Sequence, residues 1–205
     1  MLFSSAKIFT VALTIIGSVT AYPTTLERRL PSGQLIGYRV MNNAQAKEWT
    51  SAGTVVPGKK IGQRQLGEGQ YTAPGIGQWP GPMDRQFCAT SANANAWNQA
   101  EKAWIPATDT SGNKLWENPI NMDMYIKKLG FKGPEKVARM SVIKGMEDTL
   151  QMVIPDAFTK KGGGDLDLKF ECHPNVEDFN GNTPEMDYYS WKNVKGEPIH
   201  PNTDC

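Results

Sequence analysis

Leu150-Gln151-Met152-Val153-Ile154-Pro155 is an apolar run broken by one amide and closed by a proline. Leu150–Ile154 reads as a strand. Val137–Ile143, just upstream, reads as a second strand. Downstream, Gly162-Gly163-Gly164 reads as a turn. Leu166, Leu168, Phe170 and Cys172 then alternate with polar residues, as in a half-buried strand. From His173 onward the chain is polar and irregular, with Tyr188, Tyr189 and Trp191 as the expected anchors to the core.

Toward the amino terminus, Leu35-Ile36-Gly37-Tyr38-Arg39-Val40 reads as a buried strand carrying one charge. Asn43 is the expected cap of a helix over Ala44–Ala52, with Gly53 as its stop. Leu66-Gly67-Glu68-Gly69-Gln70-Tyr71-Thr72 reads as a glycine-marked turn into a short strand. Ala73–Met83 is a Gly- and Pro-rich loop holding Trp79, and Gln86–Ser91 is a strand. Ala92–Ala103 reads as helical and Trp104-Ile105 as extended. Met122, Tyr125, Ile126 and Leu129 fall at helical spacing within Asn121–Leu129, before Gly130. Strands and helices alternate without a βαβ rhythm, so the expected class is α+β.

The first residues have a different character. Lys7 supplies one positive charge, Ile8–Gly17 is an uncharged and mostly apolar run of ten, and Ser18-Val19-Thr20-Ala21 ends in small residues. This is the pattern of a secretory signal peptide cut after Ala21. The run is about half the ~20 apolar residues that cross a bilayer, so a transmembrane anchor is not expected. Residues 22–34 read as a linker with a dibasic Arg28-Arg29 pair, 35–195 as the folded domain and 196–205 as a polar tail. Export implies an extracellular protein.

Without Lys7 the basic and acidic residues are equal in number, 21 each. No basic patch signals nucleic acid or an anionic membrane, and neither is an expected partner. Cys88, Cys172 and Cys205 allow three pairings. Cys88–Cys172 is favoured because each lies in or beside a strand-like run, whereas Cys205 ends the chain. There is no Asn-x-Ser/Thr sequon. His173 and His200 lack partners at ligand spacing, so no metal is expected. A nucleophilic Gly-x-Ser-x-Gly turn is also absent.

Three motifs then stand in a telling order: Tyr38-Arg39 on the first strand, Gly67-x-Gly69-x-Tyr71-Thr72 leading into another, and Gln151 at the head of a late strand ending Ile154-Pro155. Together with Gln78-Trp79-Pro80-Gly81, Trp104-Ile105-Pro106 and Arg139-Met140-Ser141, they resemble the ADP-ribosyltransferase fold of small secreted fungal proteins, a heat-labile-enterotoxin-like family. The resemblance runs over roughly residues 35–195. It implies a split β-sandwich of short strands with flanking helices, NAD as substrate, no metal, and a host or competitor protein as partner. It implies that Arg39 holds the dinucleotide and that Tyr71, after the Gly69 turn, stacks on the nicotinamide ring. Thr72 and Ala73 stand where a Ser-Thr-Ser element braces the site, and Ala73 lacks the hydroxyl.

The family's catalytic glutamate holds a ribose hydroxyl and stabilises an oxocarbenium-like state. Its position here is Gln151, with Thr149 two residues earlier. An amide still accepts a hydroxyl proton but carries no charge. Removing one preorganised electrostatic group typically costs ~10²–10³ in rate. Glu147 shares a face with Gln151 if the strand extends that far, but four residues of strand put it about 13 Å away. The sequence therefore supports an effector that acts by binding with little or no catalysis, alongside an active transferase or NAD glycohydrolase. Arg39 as a buried ion-pair partner, Tyr71 as a core residue and Gln151 as a solvent-facing strand residue are the plainer alternatives.

Overall fold

A computed structural model describes residues 32–57, 64–79 and 81–201 of the chain. The signal-peptide segment, the Arg28-Arg29 pair and Cys205 lie outside the described residues. Among those described, eight strands form two sheets, with helices in the connections. The class is α+β.

The first sheet is antiparallel and joins β1 (Gln34–Asn42), β3 (Arg85–Ala92) and β7 (Lys169–His173), with β3 central. The second has the order β2 (Gln70–Thr72), β6 (Met146–Ile154), β5 (Ala138–Ile143), β4 (Lys102–Trp104) and β8 (Val194–Lys195). The two meet where Tyr38 of β1 pairs with Ala73, just after β2. Tyr38 N donates to the Ala73 carbonyl at 2.9 Å, and Ala73 N to the Tyr38 carbonyl at 2.8 Å. Gly37 permits this approach: a Cβ there would sit 2.7 Å from Thr72 Oγ1. The bridge sets Arg39 beside Tyr71 and Thr72, although some thirty residues separate them.

Cys88 and Cys172 face each other across β3 and β7 and form a disulfide. Pairing in adjacent strands brings their Cα atoms to 4.1 Å. The bond ties β7, which follows a loop-rich stretch, to the central strand of its sheet.

Local capping corrects several expected boundaries. β1 runs through Asn42, and Asn42 rather than Asn43 caps α1 (Asn43–Ala52), its Oδ1 accepting from Gln45 N at 2.8 Å. Gly53 ends α1 in the left-handed conformation, as the sequence indicates. Trp49, buried on this helix together with Ala46, meets Phe170 edge-on at 5.4 Å, locking α1 onto β7. α3 (Pro119–Lys128) starts two residues before its expected bound, because Asn118 caps it and Pro119 suits the first helical position. Leu166 and Leu168 are buried but precede β7, since Asp167 at φ 48° interrupts the extended run.

The largest correction concerns Ala92–Ala103. Ala92 ends β3, α2 covers Ala94–Gln99 alone, and Ala103 lies in β4. Helix propensity favours alanine only weakly, and here tertiary pairing overrides it. β4 is flanked in parallel by β5 and β8, which no pattern in the polar carboxyl-terminal stretch announces. Lys102 explains why β4 tolerates a charge. Its side chain is wholly buried, and its Nζ donates to the carbonyls of Trp97 at 2.5 Å, Ala100 at 2.8 Å and Lys192 at 3.1 Å. The ammonium also lies 4.5 Å from the centre of the Trp97 ring. Burial pushes its pKa down to about 8, while the three carbonyls satisfy its donors.

Lys102 thus joins the end of α2 to the carboxyl-terminal segment. Lys102→Met keeps the volume but strands those carbonyls, and is expected to cost about 2–4 kcal/mol in denaturant unfolding.

Candidate functional site

A cleft of about 340 Å³ opens at the seam between the sheets. Arg39 comes from β1, Tyr71 and Thr72 from β2, and Gln151 from β6, while Arg64, Gln65 and Trp79 come from the flanking loops. The fold therefore brings Arg39, Tyr71, Thr72 and Gln151 to one place. Gly69 is not on the lining. It adopts φ 142° against β6, where a Cβ would stand 2.4 Å from the Ile154 carbonyl oxygen, so it shapes the turn that aims Tyr71.

Tyr71 is fixed at both ends. Its hydroxyl accepts from Leu66 N at 2.9 Å and donates to the Gly67 carbonyl at 3.0 Å. Its ring lies 6.3 Å from Trp79, and the Arg64 guanidinium sits 6.0 Å from its centre. Burial pushes its phenol up to about 12. The turn carrying those two backbone groups is braced by Arg139, which donates to the Leu66 and Pro134 carbonyls and reaches Asp123 at 3.4 Å. Arg139 thus supports the site from behind. Thr72 is buried, packs on Gly37, and donates to the Met152 carbonyl at 3.4 Å, so its hydroxyl serves the sheet.

Arg39 donates through Nη1 to Gln70 Oε1, and Gln70 Nε2 donates to the Val56 carbonyl. The guanidinium also lies 5.9 Å from the Trp49 ring. Burial, and then the nearby charge of Arg64, push its pKa down to about 10. None of the described lining residues is a carboxylate that would offset them. An arginine does not shed its proton in practice, so the arrangement stores a preference for an anion.

Gln151 is wholly buried, not solvent-facing. Its Nε2 donates to Gln65 Oε1 at 2.7 Å and to the Val142 carbonyl at 3.0 Å, and its Oε1 has no protein partner among the described residues. Glu147, Asp148 and Thr149 lie in a bulge, because Ile143 pairs with Met146 while Val142 pairs with Leu150. The bulge turns Glu147 and Asp148 outward to solvent, and neither lines the cleft. Glu147 Oε1 accepts from Gly145 N at 2.9 Å.

Gln65 and Arg64 escaped the sequence reading. They precede the glycine turn in a polar stretch, and no periodicity marks them. Among the described residues no group of acidic, histidine or cysteine side chains is arranged to hold a metal, and no helix is long and apolar enough to cross a membrane.

The geometry defines an α+β domain with a cationic, aromatic cleft at the junction of two sheets. Residues 64–197 match the model of DUF5910, a family of unknown function, and the chain belongs to that family. The match begins at Arg64 and takes in Tyr71, Trp79 and Gln151, while Arg39 precedes it. No curated protein matches the chain.

Tyr71→Phe removes the hydroxyl that satisfies Leu66 N and the Gly67 carbonyl. It is expected to lower stability by about 1–3 kcal/mol by chemical denaturation. The disulfide is expected to stay formed, which mass spectrometry after thiol alkylation would check.

Proposed function

We propose that this chain is a secreted, ADP-ribosyltransferase-like effector that works by binding through the cleft and has little or no transferase chemistry. The observation that carries the reading is Gln151. A buried amide stands where such a transferase needs an anion, and none of the described lining residues is a carboxylate. Two guanidiniums on the lining suit phosphate groups, and the Tyr71–Trp79 pair suits a planar base or nicotinamide ring. The unpartnered Gln151 oxygen suits a hydroxyl or amide donor on the same ligand. Two sheets spliced at one bridge also fit the split β-sandwich that the resemblance implies. The ligand class is accordingly an NAD-like or ADP-ribose-like nucleotide, and the partner a protein of a host or competitor.

The convergence of Arg39, Tyr71 and Gln151 on one cleft also favours a second reading, an enzyme that turns over NAD slowly. A carboxylate's contribution of ~10²–10³ in rate would then be absent.

Calorimetric titration with NAD and with ADP-ribose separates these readings when paired with a nicotinamide-release assay. Binding without release is expected, with affinity falling about 10–100-fold in Arg39→Ala, as loss of one charged hydrogen bond implies. Release that disappears in Arg39→Ala would establish the enzyme instead. Absence of binding to either nucleotide would remove both readings.

A further inference from the structure

Among the described lining residues, Gln65 is the one whose side-chain amide is bonded at both ends to the hairpin that carries Gln151, to β5 and to the turn after it. Its Oε1 accepts from Lys144 N at 2.9 Å, and its Nε2 donates to the Val142 carbonyl at 2.8 Å. A backbone N–H can only donate and a carbonyl can only accept, so these two bonds fix which end of Gln65 is oxygen. That oxygen then faces Gln151 and admits only a donor. Gln151 Nε2 supplies it at 2.7 Å and gives its other hydrogen to the Val142 carbonyl at 3.0 Å. Turning the Gln151 amide over would set oxygen against two oxygens.

We propose that Gln65 is a positioning residue that fixes residue 151 as an uncharged amide donor, so the missing anion of this cleft is determined by two positions rather than one. A glutamate at 151 would press a carboxylate oxygen on the same two acceptors in a wholly buried setting. The charged or titratable groups on the lining are Arg39, Arg64, Tyr38 and Tyr71. Arg39 is engaged by Gln70, Arg64 donates to the Gly69 carbonyl at 2.9 Å, and Tyr71 is held by its turn. Tyr38 donates its hydroxyl to the Pro184 carbonyl. None of the four bonds Gln151, whereas both acceptors sit at hydrogen-bond distance. Direct contact therefore outweighs the more distant positive charge.

The consequence concerns specificity. Gln151 presents one acceptor that no described residue satisfies, held in place, and the cleft selects a ligand that offers a donor there. Gln151→Glu alone does not rebuild an anionic site, because residue 65 has to change with it. This consequence rests on reading the cleft as catalytically silent, but its test contains no nucleotide.

The experiment is a double-mutant cycle of Gln65→Lys, Gln151→Glu and the pair, followed by thermal unfolding. Gln151→Glu is expected to lower Tm by about 5–10 °C, and adding Gln65→Lys to recover at least half of that loss. An additive cycle, or a Gln151→Glu protein within about 1 °C of the parent, would overturn the proposal. NMR provides a second measurement that does not depend on the glutamate variant folding. The Gln151 side-chain amide protons are expected to exchange slowly in the parent and at least about tenfold faster in Gln65→Met, with Gln99 unchanged as an exposed reference. Equal exchange in the two proteins would also overturn it. A chain that fails to bind nucleotide and still shows the coupled cycle loses the earlier reading and keeps this one.

Discussion

The reciprocal pair of backbone hydrogen bonds between Tyr38 and Ala73 holds the architecture together at its most constrained point. Either sheet alone would expose an edge: β1 in one, β2 in the other. The bridge joins those edges over a single residue pair, and the strands diverge on either side of it. The cleft is the space that this divergence leaves. Arg39 lies one residue beyond the bridge on β1, while Thr72 and Tyr71 lie one and two residues before it on the other side. A larger residue than glycine at position 37 would push Thr72 away and separate the two halves of the lining.

Around that seam the polar groups are arranged for support more than for reactivity. Tyr71, Thr72, Gln65 and Arg39 each have a hydrogen-bonding group committed to the protein itself. Among the buried side-chain polar atoms of the described lining, only Gln151 Oε1 is without a protein partner. A buried acceptor without a donor is costly, and proteins retain such groups chiefly where something else satisfies them. Arg39 and Arg64 both stand on the lining, and none of its described residues is a carboxylate, which gives the cleft a positive electrostatic sign. The signal was hidden in a chain whose total charge is nearly balanced, because net charge says nothing about local segregation.

The apolar strands Leu150–Ile154 and Leu35–Val40, the Gly53 and Gly130 stops and the Cys88–Cys172 pairing were all legible in the sequence. Each depends on neighbours in the chain or on a simple choice among few cysteines. β4 and β8 were not legible. Lys102 looks like a surface residue until Trp97, Ala100 and Lys192 supply three carbonyls around it. Gln65 was invisible for a similar reason: its meaning lies in contacts with Val142, Lys144 and Gln151, 77 to 86 positions away.

By itself the sequence determined the α+β class, the identities at positions 39, 71 and 151, and the absence of a glutamate where the resemblance expects one. Those are matters of residue type and local period. The tertiary structure alone decided that Arg39, Tyr71 and Gln151 share a cleft, that the Glu147–Thr149 bulge faces solvent, and that residue 151 is held as a donor. The physical reason is that hydrogen bonds between distant strands fix both direction and partner. A linear pattern records neither.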